Sequence, residues 1–257
     1  MSDGSFIQSV EKAAAILDIF TKNESLLSLN DIHLKTKFSK TSLLRFCNTL
    51  CNIGYLEKVY VGKVPYYRLG IKLFTLGSRV IHSIDLPERA KKYLISISEA
   101  LNDNSYLFIE RNNKALCVDK IKGKFYIQTN TTYIGDTYPL HIGGGPLAIL
   151  AHMDLNKQSE IINMLNLSKD KKNSLCNRLE LTKRNGYSLS KNEVFPKTAA
   201  VGVPIFNHEG LVIAALSVGG IETRFSDDRL PEVVKVLKEA ALKLSREIGW
   251  SSESNNH

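Results

Sequence analysis

Apolar residues recur at helical spacing from Gln8 to Lys22, at Val10, Ala13, Ala14, Leu17 and Phe20, and predict a first helix with one face on a core. Ser28-Leu29-Asn30-Asp31 has the S-x-x-D form of a capping box, and Ile32 and Leu34 continue an apolar face, so a short second helix is expected to about Thr36. Ser39 is a good N-cap for a third periodic run, Leu43, Leu44, Cys47, Leu50 and Cys51, which ends at Gly54. The period then shifts to strand-like: Tyr55–Tyr60 and Val64–Leu69 flank Gly62-Lys63 as a hairpin, with Pro65 expected to confine its strand to an edge. Helix, helix-turn-helix, hairpin is the order of a winged helix. Leu73, Phe74, Leu76, Val80, Ile81 and Ile84 mark a linker helix, and Asp85-Leu86-Pro87 a break before another helix.

Beyond the break, short strands are expected at Ser105–Arg111, Ala115–Lys122 and Tyr126–Asn130, as a meander turned at Asn112-Asn113 and Gly123. Helices follow at Pro146–Met153, Lys157–Leu165 and Lys172–Asn185, strands at Ala199–Asn207 and Leu211–Val218, and a last amphipathic helix at Asp228–Ile248. The mixture predicts an α+β chain: a winged helix-turn-helix over residues 1–70, a linker helix over 71–86, a domain of antiparallel sheet flanked by helices over 87–250, and a disordered polar tail over 251–257.

Composition narrows the class. With 257 residues and 43% hydrophobic content, the chain has enough apolar mass for a real core. No run approaches the length of a membrane span, and the first residues lack a basic, apolar leader, so a cytoplasmic protein is expected. The net charge of +8 is uneven: residues 1–84 hold 11 Lys and Arg against 6 Asp and Glu, the remainder 23 against 20. A basic excess on the helix-turn-helix points to a polyanion partner.

In such a motif the first turn of the second helix enters the major groove, which selects Lys40, Thr41, Ser42 and Arg45 as DNA-facing. Arg45 has the fork for bidentate contact to guanine, whereas Lys63 at the hairpin tip and Arg68 beside it would follow phosphate or a minor groove. Cys47 and Cys51 are i, i+4 neighbours that with His33 have metal-ligand chemistry, but they fall on the apolar stripe and read better as core. No metal motif and no cofactor motif occurs. His141-Ile142-Gly143-Gly144-Gly145-Pro146 stands before a helix, and three readings are open: a backbone cradle for an anion, an oxyanion loop of a hydrolase using His141, or glycines that serve only a tight turn. The hydrolase reading needs a G-x-S-x-G elbow, and the nearest candidate, Ala215-Leu216-Ser217-Val218-Gly219, lacks the first glycine.

Several blocks resemble the IclR family of bacterial transcriptional regulators: Ser39-Lys40-Thr41-Ser42-Leu43-Leu44-Arg45 with Gly54-Tyr55-Leu56 at the front, then Pro139-Leu140-His141 to Ala151, Gly186-Tyr187-Ser188, Val203-Pro204-Ile205-Phe206 and Ala214–Val218. The likeness runs from about Ile7 to Trp250. It implies a winged helix-turn-helix, a dimerising linker helix and a GAF-like effector domain. It also implies partly palindromic double-stranded operator DNA as partner, homodimers or homotetramers, and a small, usually carboxylate-bearing effector. Carried over block by block, the effector positions are Gly144 and Gly145, whose amides would hold the acid, with Ser190, Thr198, Ala200, Ser217 and Gly219. Ser190 stands where the resemblance leads one to expect an acid, Ala200 a cysteine and Gly219 a serine, and Pro146-Leu147 replaces Gly-Lys, so a roomier and less polar pocket is expected. Lys37 takes a turn position usually held by glycine, at a cost of about 1 kcal/mol if left-handed.

Overall fold

The computed structural model describes residues 7–21, 24–83, 85–127 and 132–251, with the side chains of all of these except 78–83 and 85. The chain divides between Ile84 and Asp85 into two compact units.

In the first unit α1 (Gln8–Asp18) precedes a two-residue strand, β1 (Leu27–Ser28). The helix is shorter than its pattern, and Val10, expected on the inner face, is 63% exposed, because the core is built from Ile16 in the second half of the helix and Phe20 just beyond its end, and Val10 lies before them. The tail of the expected helix falls partly at Lys22, outside the described residues. Helix α2 (Leu29–Thr36) starts on the capping box: Ser28 Oγ accepts from the Asp31 amide, and the Asp31 carboxylate accepts from the Ser28 amide and hydroxyl. Lys37 ends it in the left-handed region, at φ 62°. Ser39 then caps α3 (Lys40–Asn52) through the Ser42 amide. Leu43, Cys47 and Leu50 turn one face of α3 into the core with Ile16, Ile32, Leu56 and Tyr67.

The hairpin forms as β2 (Leu56–Val61) and β3 (Val64–Leu69) around Gly62-Lys63. Pro65 does not sit in an edge strand: β1 pairs with the outer side of β3, which makes β3 the middle of three. The strand tolerates proline because β1 reaches only Tyr66 and Tyr67, so nothing asks for a hydrogen bond from residue 65 on that side. The unit ends in α4 (Ile71–Ser83).

The second unit is a three-layer arrangement on a six-stranded antiparallel sheet. Helix α5 (Asp85–Leu101) leads into β4 (Asn104–Arg111) and β5 (Lys114–Ile121). There follow β6 (Thr137–Pro139), α6 (Gly144–His152), α7 (Leu155–Met164), α8 (Lys169–Asn185), β7 (Ser188–Lys191), β8 (Thr198–Phe206), β9 (Val212–Ile221) and, after a 3-10 turn at Glu222–Phe225, α9 (Leu230–Glu247). The strand order is β6-β5-β4-β9-β8-β7, so the last long strand inserts beside β4.

Alternation along the strands assigns the two faces. Phe108 and Gly202 lie against α6, whereas Ser105, one residue out of phase with Tyr106 and Phe108, donates its hydroxyl to the Leu94 carbonyl of α5. Helix α9 packs on the sheet with α5, and Ser245 Oγ accepts from the Phe206 amide.

The expected third meander strand at Tyr126–Asn130 is absent where it can be judged: Tyr126 and Ile127 form a bend, and 128–130 lie outside the described residues. Gly123 does not turn the chain back. Its backbone lies so close to the α5–β4 junction that a Cβ there would be 2.3 Å from the Asn102 carbonyl oxygen, its amide donates to Asn104 Oδ1, and the Phe125 amide donates to Asn102. The edge strand is instead β6, paired with β5 from Thr137 to Pro139. Strand β7 was also not anticipated; it closes the opposite edge on β8. Among the described residues no helix is long and apolar enough to cross a membrane.

Candidate functional site

Two surfaces carry the chemistry singled out in the sequence, one in each unit. In the first, Ser39 fixes the start of α3, so Lys40, Thr41 and Arg45 stand exposed on its first two turns and Ser42 is half-buried beside them. The opposite face is anchored by Leu43 and Cys47, while Leu44 points outward at 43% exposure. Beneath the turn, His33 Nδ1 donates to the Phe38 carbonyl at 2.7 Å, and the Thr36 hydroxyl, itself donated to Ile32, accepts from the Phe38 amide. The turn between α2 and α3 is thus held by side chains as well as by packing.

Lys63 is exposed at the hairpin tip. Arg68 is exposed too, but directly opposite it in the hairpin register stands Glu57, whose carboxylate takes Arg68 Nε at 2.9 Å and the second guanidinium nitrogen at 2.8 Å. The pair holds Glu57 below the usual carboxylate range and raises Arg68, first through the hydrogen bond between them. Arg68 thus carries a counter-charge on the wing, in an exposed pair with Glu57. The cysteines are core: Cys47 is fully buried, which pushes its thiol up to about 11, and Cys51 packs on the same cluster. Among the described residues no group of three His, Cys, Asp or Glu is arranged to hold a metal ion.

In the second unit, a cavity of about 50 Å³ opens between the N-terminus of α6 and the sheet. Its walls include Gly144, Gly145, Ser190, Thr198, Ala200, Ser217 and Gly219, which are all seven effector positions carried over by resemblance. The glycine loop is demanded locally. Gly143 takes φ 91° and ψ 165°, open only to glycine, and turns the chain into α6. A Cβ on Gly144 would meet the Ala200 and Val201 backbone at 2.9 Å, and one on Gly145 the Phe108 ring at 2.4 Å. Close packing and amide exposure thus have one cause: without side chains, the first turn of α6 settles onto β8, and the amides of Gly144 and Gly145, at the first two helical positions, have no acceptor within the helix. Pro146 follows with no amide at all.

The rest of the lining escaped the sequence. Tyr106 and Phe108 share a face of β4, Tyr138 stands edge-on to Phe108 at 6.0 Å between ring centroids, and Phe195 and Val194 close the side of β7. Burial raises the phenols, Tyr138 to about 12. At the edge, Glu193 reaches back to Ser190 and the Gly143 amide with one oxygen, and pairs with Arg178 through the other at 2.6 Å. So an acid does approach the position where Ser190 seemed to remove it, three residues later in the chain. The period-two spacing of Tyr106 and Phe108 was a usable signal; the Glu193 contact, made across a loop, was not.

Neither part of a hydrolase site is assembled. Ser217 lies in the middle of β9 rather than on a strand-to-helix turn, and its hydroxyl is donated to the Val201 carbonyl. His141 has no partner at Nδ1, and burial lowers its basicity.

The model of the IclR helix-turn-helix domain matches residues 9–59, and that of the bacterial transcriptional regulator IclR C-terminal domain matches residues 78–246. The chain belongs to the IclR family of bacterial transcriptional regulators. Among its IclR relatives, the HTH-type transcriptional regulator KipR of Bacillus subtilis is 32% identical over 95% of this chain and 98% of its own. XynR of Escherichia coli is 33% identical over the same shares. An IclR homologue from Microbacterium hydrocarbonoxydans, solved in complex with 4-hydroxybenzoate, superimposes with a TM-score of 0.80 at 20% identity, over 93% of this chain and 98% of its own, a likeness of fold. This IclR-family chain is thus a transcriptional regulator with a helix-turn-helix DNA-binding domain and a separate α+β domain.

Proposed function

We propose that this regulator binds a partly palindromic operator as a homodimer or homotetramer, and that a small carboxylate-bearing metabolite in the α6 cavity sets its affinity. The observation that carries the reading is the convergence of the seven expected positions on one cavity whose wall holds two helix amides with no acceptor inside the helix. A carboxylate bound there would take the Gly144 and Gly145 N–H groups, and the aromatic rings of Tyr106, Phe108 and Tyr138 would cover its carbon skeleton. The carboxylate ligand of the Microbacterium homologue fits that chemistry.

On the DNA side, Arg45 is the base reader, Lys40, Thr41 and Ser42 serve base edges or phosphate, and Lys63 follows the backbone. Ile71 and Phe74 on the linker helix are 78% and 72% exposed, apolar surface suited to a second copy of the chain. Work on a bacterial operator belongs in the cytoplasm. An effector that binds one dimer arrangement better than another would shift the spacing of the two recognition helices.

The experiment is a salt titration of the full-length protein on the DNA upstream of its own gene and on a scrambled duplex of equal length. Preference for the upstream DNA that survives physiological salt is the expected result; equal and salt-labile binding to both would reject operator recognition at that site.

A further inference from the structure

The three hydroxyl groups that β7, β8 and β9 bring to the cavity all point their protons the same way, away from a ligand. Ser190 Oγ donates to Glu193 Oε2 at 2.9 Å, Thr198 Oγ1 to the Phe195 carbonyl at 2.7 Å, and Ser217 Oγ to the Val201 carbonyl at 2.8 Å. Each partner is a carboxylate or carbonyl oxygen with no proton to give, so the direction of each bond is fixed. On the aromatic side the Tyr138 hydroxyl lies 3.0 Å from the Thr132 hydroxyl and 3.4 Å from the Asp136 carboxylate. A hydroxyl whose proton is spent offers a ligand only lone pairs.

The α6 side of the cavity and the β7–β9 side are therefore of opposite polarity. The Gly144 and Gly145 amides are donors, and the three hydroxyls of β7, β8 and β9 are acceptors. Ser190 and Ser217 are 3% and 2% exposed, so a ligand group that met them without a hydrogen to donate would leave buried lone pairs facing its own. Glu193 locks this polarity, because Arg178 at 2.6 Å and the Gly143 amide at 3.2 Å hold the carboxylate that takes the Ser190 proton.

Resting on the reading that the cavity takes a carboxylate, we propose that its ligand is a small hydroxy acid: the acid group on the Gly144 and Gly145 amides and a hydroxyl donating to the strand wall. The mostly apolar and aromatic lining favours a neutral hydroxyl over an ammonium group as that donor. The site discriminates against the matching keto acid, whose carbonyl oxygen is an acceptor facing acceptors, and Glu193 acts as the residue that sets the discrimination through Ser190.

The test is calorimetric titration of the full-length protein with lactate and 2-hydroxybutyrate, their keto counterparts pyruvate and 2-oxobutyrate, their deoxy counterparts propionate and butyrate, and alanine. The hydroxy acids are expected to bind at least about tenfold more tightly than their keto and deoxy counterparts. Glu193→Ala, which removes the acceptor of the Ser190 proton and leaves it free to turn inward, is expected to shrink the hydroxy-to-keto ratio to about twofold or less. Ser190→Ala is expected to shrink it as well, and carries the test alone if Glu193→Ala does not fold. Equal or tighter binding of the keto acids, or a preference for alanine over lactate, overturns the proposal while leaving a carboxylate site. Binding of none of the seven overturns both the proposal and the carboxylate reading beneath it.

Discussion

Gly202 on β8 lies beneath Gly144 at the start of α6 so closely that a Cβ built on Gly202 would stand 2.4 Å from both the carbonyl carbon and the oxygen of Gly144. Ser188 ties the same place from the side, donating its hydroxyl to the Gly144 carbonyl. Gly202→Ala is therefore expected to lower unfolding free energy by about 3 kcal/mol, the upper part of the overpacking range, since both obstructing atoms are backbone. Urea denaturation followed by circular dichroism measures it, and a loss under about 1 kcal/mol would show that α6 can lift off the sheet freely. The same contact makes any side chain at Gly144 a stability change as much as a ligand-site change, so Ser190, Thr198 and Ser217 are the cleaner positions for probing the cavity.

Arg45 and Arg68 should behave differently on DNA despite their equal charge. Arg45→Ala is expected to weaken operator binding by about 1 to 3 kcal/mol and relax sequence preference, as befits a base contact. Arg68→Ala is expected to cost less, because Glu57 already occupies its guanidinium, and Glu57→Ala is expected to tighten binding by freeing it. Fluorescence anisotropy on operator and scrambled duplexes separates these effects. Tighter binding by Arg68→Ala than by wild type would refute the assignment.

Asp103, 2% exposed as a side chain, pairs with Arg224 at 2.6 Å and with Arg229 at 2.8 Å, and both arginines also donate to the Leu101 carbonyl. The group ties the end of α5 to the turn after β9. Asp103→Asn leaves two guanidinium groups without their counter-charge and is expected to destabilise the domain by about 3 kcal/mol. A denaturation midpoint equal to that of wild type would mean that the arginines find water or another acceptor at no cost.

The Lys37 backbone sits at φ 62°, where an L side chain is strained. Lys37→Gly is expected to stabilise the helix-turn-helix unit by about 0.5 to 1 kcal/mol, the left-handed penalty less the added freedom of glycine in the unfolded chain. Thermal melting detects it, and a lower melting temperature would show that the lysine side chain contributes more than its backbone costs.

His152 and His141 both have basicity lowered below 6.5, in each case first by burial. His152 Nδ1 donates to the Ala148 carbonyl at 2.9 Å and its ring stands edge-on to Phe206. Between the folded value and 6.5 the unfolded chain binds more protons, so stability rises with pH in that window. It is present in full above about 6.5 and is lost as pH falls below it. The melting temperature should accordingly drop from pH 7.5 to 5.5 at low salt, and His152→Gln should flatten the drop, with His141→Gln flattening it further. An unaltered slope in the double variant would assign the pH dependence to other groups.

The helix-turn-helix was legible because its signals are local. A capping box at Ser28 and Asp31, an N-cap at Ser39 and the Leu43, Cys47, Leu50 stripe each act within one turn of helix, and each holds in the folded unit. The same locality explains why Pro65 misled: whether a strand is an edge depends on the distant pair Leu27–Ser28, which no pattern around residue 65 reports. Tyr126–Asn130 failed in the same way, since the backbone after β5 is held by Asn102 and Asn104, about twenty residues upstream, rather than by its own alternation.

Of the cavity, the glycine loop and the seven matching positions could be read along the chain, because an unusual run of glycines before a helix and the order of blocks are properties of sequence. The approach of Tyr138 to Phe108, the reach of Glu193 back to Ser190 and Gly143, and the common direction of the three hydroxyl protons could not. Those depend on which carbonyl or carboxylate lies within about 3 Å of each oxygen, and hydrogen bonding of that kind is settled only when β7, β8 and β9 are laid side by side against α6. The sequence by itself determined that this protein carries a helix-turn-helix and a second, glycine-looped domain, since helix caps and periodicities act over a few residues, and the order of its blocks pointed to the regulator family. The polarity of the cavity was left to the tertiary structure, because it arises between residues that only folding makes neighbours.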